Sequence, residues 1–202
     1  MNSATRSLAA LSTFAVVIAG AAACSDKGEN NSILPATAPA PTSTSSAGSS
    51  NSAPAVTEPL DEGKFLGDPC SSLTSSQKSD LGVEQQGRQA VEGGCSWEFG
   101  PNSEWIVQVT YIRVAGGLAN DYDKNAAGAY KDGYFEPATV AGYPAAFSSL
   151  ADFRPATCDL NVGLNSEAIF HVTVRGDATK DNCKAATNVA ARVIDTIKAG
   201  GQ

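Results

Sequence analysis

The chain has 202 residues, with 14 Lys and Arg against 21 Asp and Glu, a formal charge of -7 and a single histidine. The negative balance opposes an electrostatic grip on nucleic acid or on an anionic lipid surface, which excludes a nucleic-acid role. One histidine excludes multi-histidine zinc sites and the HExxH motif, and much hydrolase chemistry with them.

From Ser7 to Ser25 no charged residue interrupts LAALSTFAVVIAGAAAC, and Arg6 precedes it, the pattern of a signal peptide over residues 1–23. The run ends in Gly20, Ala21, Ala22 and Ala23, small residues that a signal peptidase can admit, and Cys24 follows at once. This resembles a lipobox, although Ala21 stands where Leu is commonest. In bacterial lipoproteins such a cysteine takes a diacylglyceryl group, becomes the first residue of the mature chain and carries palmitate-type acyl chains. An uncleaved signal anchor is the alternative, because 19 uncharged residues approach the roughly 20 that cross a bilayer. The small residues before Cys24 favour lipidation, and with it a protein exported to the outer face of the cell membrane.

Residues 24–61 form the expected tether. Ser32 to Pro59 holds 5 of the chain's 10 prolines and is otherwise mostly Ser, Thr and Ala, a composition with too little apolar surface to fold. The 37 residues between Cys24 and Glu62 reach roughly 120 Å fully extended and about 35 Å as a flexible coil. Such a spacer lifts a domain off the membrane.

Residues 62–202 are long enough for one globular domain. Its four cysteines, Cys70, Cys95, Cys158 and Cys183, are an even number in an exported chain, which reads as disulfides. Three pairings are open. Cys70 to Cys95 and Cys158 to Cys183 enclose equal separations, and that pairing is favoured. Asp68-Pro69-Cys70 reads as a helical turn, and Thr74-Ser75-Ser76-Gln77 is a capping box opening a helix that Gly82 closes. Cys95 to Phe99 and Trp105 to Arg113 alternate as strands about a turn at Gly100-Pro101-Asn102. Leu118, Tyr122, Ala126 and Tyr130 recur every fourth residue, as on one stripe of a helix. Short strands are expected at Phe135 to Val140 and Ala145 to Ser149, then at Cys158 to Leu164 and Ala168 to Arg175 about a turn at Asn165-Ser166. A closing helix over Lys180 to Lys198 sets Cys183, Ala186, Ala190, Val193, Ile194 and Ile197 on one face. The expectation is an α+β domain: an antiparallel sheet of about six strands with N-terminal, middle and C-terminal helices.

Asp68-Pro69-Cys70, Leu73-Thr74, Cys95-Ser96-Trp97, Gly142-Tyr143-Pro144-Ala145 and the late pair Cys158 and Cys183 together resemble a family of actinobacterial secreted lipoproteins, catalogued as a domain of unknown function. The element order is similar to the Mog1 and PsbP type of sandwich. By analogy, that likeness implies assistance to envelope glycolipid traffic; it brings no catalytic residues.

The candidate chemistry is sparse. Ser75-Ser76-Gln77-Lys78 matches SxxK, but no KTG or SDN partner follows and a helix cap explains the same residues. Asp121, Asp123, Asn125 and Asp132 imitate a calcium loop, but Ala126 replaces its glycine. His171 reads as an ordinary sheet-face residue sharing its face with Ile169, Thr173 and Arg175. Trp97, Trp105, Tyr111, Tyr122, Tyr130 and Tyr143 could line an apolar groove, although core packing is the stronger account of Trp97, Trp105 and Tyr111. Tyr143, on its Gly-Tyr-Pro turn, is expected to be an exposed contact residue. No enzyme activity, cofactor or metal is expected. The reading is a membrane-anchored binding module with an envelope protein or lipid partner, the alternative being a carrier for envelope lipids or glycolipids, and a hydrolase a distant third.

Overall fold

A computed structural model describes residues 52–83, 85–90, 93–100 and 103–201. The signal peptide, Cys24, most of the tether, and Pro101-Asn102 lie outside the described residues. Among the described residues no helix is long and apolar enough to cross a membrane.

Seven strands form one antiparallel sheet: β1 (Arg88–Gln89), β2 (Gly94–Phe99), β3 (Trp105–Arg113), β4 (Tyr134–Val140), β5 (Tyr143–Ser149), β6 (Thr157–Gly163) and β7 (Ala168–Arg175). Their spatial order is β1-β2-β3-β7-β6-β5-β4. Two meanders, one from each half of the chain, therefore meet at β3 and β7, which pair from Ile106 with Arg175 to Arg113 with Ala168. The expected six strands are all present. The seventh, β1, has two residues and is too short to carry a period.

Period-2 alternation decides which side chains face the core. Trp97, Val107, Val109, Tyr111, Leu160, Val162, Phe170, Val172 and Val174 are buried on one face. The helix α4 (Asn182–Lys198) lies on that face and buries Ala186, Val189, Ala190, Val193, Ile194 and Ile197 in the same cluster. Asp181 caps α4 by accepting from the Lys184 amide. Both favoured disulfides form, Cys70 with Cys95 and Cys158 with Cys183. The second pins the first turn of α4 to β6, and the first ties a 3-10 turn (Pro69–Ser72) to β2.

The N-terminal helices are short. In α1 (Gly63–Gly67), Phe65 is buried and stacks on Tyr111 with ring centroids 5.6 Å apart. In α2 (Ser75–Asp80) the capping box is complete: Thr74 Oγ1 accepts from the Gln77 amide and Gln77 Oε1 accepts from the Thr74 amide. Gln77 also reaches α4, donating to the Arg192 carbonyl and accepting from Thr196.

The last residues of the expected tether pack on the domain. Leu60 is buried, its amide donates to the Leu164 carbonyl, and its own carbonyl accepts from Asn165. Val56 packs on the core as well. Residues on the N-terminal side of Glu62 thus contribute to the packing of the domain.

The four-residue stripe of the middle helix is interrupted. The helix α3 spans Ala119–Ala126; Leu118 and Tyr122 are buried, whereas Ala126 is exposed. Gly128, at φ 77°, supplies the left-handed residue that ends the helix, and the Ala129 amide returns to the Lys124 carbonyl. Tyr130 then folds back to stack on Phe135.

Candidate functional site

The second face of the sheet is only half covered. On one side α3 lays Leu118 and Tyr122 against Ala146 and Ile169, with Phe135 and Val114 closing this small cluster. Across the middle of β3, β7 and β6 the outward residues Gln108, Thr110, His171, Thr173, Arg175, Thr157, Asp159 and Asn161 are instead polar and floor an open groove. Its larger end, about 670 Å³, is lined among others by Gln108, Thr110, Asp159, His171, Thr173 and Arg175. Its other end, about 420 Å³, runs toward Asp121, Lys124 and Tyr130. Ile112, Ser149, Asp159 and His171 line both ends.

Register brings this constellation together. In the β6–β7 hairpin Asn161 pairs with His171 and Asp159 with Thr173. Asn161 Nδ2 donates to Asp121 Oδ2 at 2.6 Å and to Ser148 Oγ at 3.1 Å. The amide oxygen of Asn161 is thereby turned to His171, 2.6 Å from Nδ1. Nε2 of the same ring lies 2.8 Å from Thr173 Oγ1, which donates to Asp159 Oδ1 at 2.7 Å. Asn161 turns its amide oxygen to Nδ1, and Thr173 bridges Nε2 to the Asp159 carboxylate. The line runs unbroken from Asp121 on α3 to Asp159 on β6.

Charge is managed on both carboxylates. Burial works against ionised Asp159, yet the hydrogen bonds from His171 and Thr173, the nearby imidazole and Ser149 together hold its carboxyl below the usual aspartate range. Asp121, buried on α3, accepts from Tyr130 at 3.0 Å and lies 3.4 Å from Lys124 Nζ. Burial, then the Asp121 charge, pushes the Tyr130 hydroxyl up to about 12.

The rim of the groove is apolar and anchored. Leu150 and Phe153 are 67% and 65% exposed, on the connection between β5 and β6, and Ile112 is exposed beside them. Arg154 braces that connection. It bonds Asp152 and Glu136 and sits 3.8 Å from the centroid of the Tyr134 ring. Hydrogen bonds from Arg154 hold the Asp152 carboxyl down to about 2.

Most sequence-derived candidates fall elsewhere. Tyr143 is not an exposed contact residue: it is 4% exposed and packs in the main core. The reason is the turn. Ala141 and Gly142, both at positive φ, form a two-residue hairpin loop, so Tyr143 is already the first residue of β5 and points to the α4 face. The six aromatics form no common groove: Trp97, Tyr111 and Tyr143 join the main core, while Tyr122 and Tyr130 sit by α3. Trp105 is half-buried and donates to Asn182. Ser75 and Lys78 belong to the first turns of the capped α2. Asp121 of the imitated calcium loop is turned inward to Asn161. Among the described residues no group of three His, Cys, Asp or Glu could hold a metal ion. His171 does lie on the sheet face with Ile169, Thr173 and Arg175, but as the centre of a network whose other members, Asp121, Ser148, Asp159 and Asn161, were not singled out as its partners. A two-residue turn at Asn165-Ser166 would set Asn161 opposite Phe170; the loop includes Glu167 as well, and that extra residue shifts the register by one and sets Asn161 opposite His171 and Asp159 opposite Thr173.

Thr173, His171 and Asn161 stand in the order of nucleophile, base and orienting amide. Thr173 Oγ1 lies 2.8 Å from His171 Nε2 and also bonds Asp159 Oδ1 at 2.7 Å, so the hydroxyl is shared between the imidazole and the carboxylate. What the arrangement offers chemically is a rigid set of donors and acceptors.

A family model described as Protein of unknown function (DUF3558) matches residues 19–196, and the chain belongs to that family. No curated protein and no solved structure matches it.

Proposed function

We propose that this family member is an exported, membrane-tethered, non-enzymatic binding module of the actinobacterial lipoprotein type, docking its ligand on the open face of β3, β7 and β6. The observation that carries the reading is the groove itself: an ordered polar floor centred on His171, rimmed by exposed Ile112, Leu150 and Phe153. Solvent-exposed apolar side chains grouped around convergent polar groups are a feature of binding surfaces. The two disulfides support an oxidising compartment, and the segment before Cys24 supports export and lipid anchoring there. A photo-crosslinking residue at position 153 in living cells should capture an envelope component, while the same residue at position 184 on α4 should not. Equal capture at both positions would count against the face.

A second reading, a carrier for envelope lipids or glycolipids, is favoured by a separate apolar-lined cleft of about 380 Å³ bounded by Phe99, Trp105, Val107, Val174, Ala185 and Val189. That volume is in the range of small ligand pockets. It also accords with the Mog1 and PsbP likeness. Native mass spectrometry of the purified protein would reveal a co-purifying lipid.

A further inference from the structure

We infer that the ligand of the open face is a neutral, polyhydroxylated chain, a linear saccharide lying along β7; the inference rests on the reading of that face as the docking surface. The groove is long. Its two ends share Ile112, Ser149, Asp159 and His171, and it runs beside β7 from Ile169 to Arg175, a distance of about 20 Å at the rise of an antiparallel strand.

The mixture of groups chooses among occupants. Arg175 and Gln108 offer donors, Asp159 offers a charged acceptor, and Thr110, Thr157 and Ser149 offer hydroxyls, while His171 is held within the floor by Asn161 and Thr173. A phosphate requires donors throughout and would be repelled by Asp159 and Asp121. A cation would meet Arg175 at one end and Lys124 at the other. An acyl chain would strip water from Asp159 and Arg175 with nothing in exchange. An extended peptide is best satisfied at a strand edge, where backbone groups are free. On this face, the backbones of β3, β7 and β6 are already paired with each other. The β4 edge carries Pro137, which has no amide to donate. A sugar hydroxyl is at once donor and acceptor, so it alone uses alternating donors and acceptors to the full.

Phe153 supplies the remaining element. Its ring is largely exposed at the groove, and its electron-rich face attracts the C–H side of a pyranose ring. The Arg154 bracket holds the connection that carries it, which lowers the ordering cost on binding.

The test is an amide NMR titration of the full chain carrying Cys24→Ala, with maltotetraose, cellotetraose and chitotetraose in turn. At least one should shift the amides of Thr110, Asp159, His171 and Thr173 saturably. Phe153→Ala should weaken that binding about tenfold, the equivalent of one aromatic contact, and Phe153→Tyr should restore it. Silence from all three sugars, or binding indifferent to Phe153→Ala, overturns the saccharide assignment. Tetra-alanine and dodecylphosphocholine serve as the competing probes. Shifts at the same amides from either, with none from the sugars, would sink the saccharide and keep the docking face. No shift from any probe together with equal crosslinking at positions 153 and 184 would sink both.

Discussion

Asn161 holds the polar network in register, because its amide joins Asp121 to His171. Asn161→Ala should destabilise the domain by about 2–3 kcal/mol, since a buried carboxylate loses a charged-group hydrogen bond, whereas Thr110→Ala on the same face should cost little; urea denaturation would separate the two. Acid should act through Asp159. Its folded carboxyl lies below its unfolded value, so its stabilisation is complete above about pH 4 and fades as pH falls through the lower folded value. Asp159→Asn should therefore flatten the acid limb of a stability-against-pH curve; an unchanged limb would contradict this. At the alkaline end Tyr130 has the opposite sign. Its raised value keeps the folded state neutral, so stability holds below about pH 10 and is lost as pH climbs toward the folded value of about 12. Tyr143 shows where local reading fails at this scale. Gly142-Tyr143-Pro144 has turn composition, yet one residue of register decides whether its ring meets solvent or core.

Among the elements, α4 is the most consequential. Ile194 is fully buried under it, and Ile194→Ala should cost about 2–5 kcal/mol, read from the urea midpoint. The Cys158–Cys183 bridge closes a separation of 25 residues at its start. Replacing both cysteines by serine should cost about 3.5 kcal/mol in the chain-entropy account. Most elements were legible, and for identifiable reasons. The period-2 runs of β2, β3 and β7, the Thr74–Gln77 capping box and the α4 stripe each carry a local physical signal that tertiary packing reinforces. Two elements were not. The two-residue β1 has no period to read, and α1 is five residues whose Phe65 is held by Tyr111, far along the chain. The α3 stripe overran because periodicity alone does not see Gly128 ending the helix. The site was half legible: His171 was assigned to its face, but its partners come from β6 and α3 and emerge only when the hairpin and the helix are placed together.

For the whole molecule, the anchoring proposal predicts that Cys24→Ala moves the protein from the membrane to the soluble fraction while circular dichroism of the domain is unchanged. Retention in the membrane would favour the signal anchor instead. The two-meander sheet also has a covalent corollary. Each disulfide lies within one half of the chain, Cys70–Cys95 before β3 and Cys158–Cys183 after β5, so among the described residues no covalent crosslink spans the central β3–β7 seam. Each bridge closes within its own meander and its adjoining helix or turn. A protease site placed in the turn at residues 115–117 would then make a split protein. Under native conditions the pieces should remain together through the seam, yet a denaturing gel run without reductant should resolve two bands, each holding its own intact bridge.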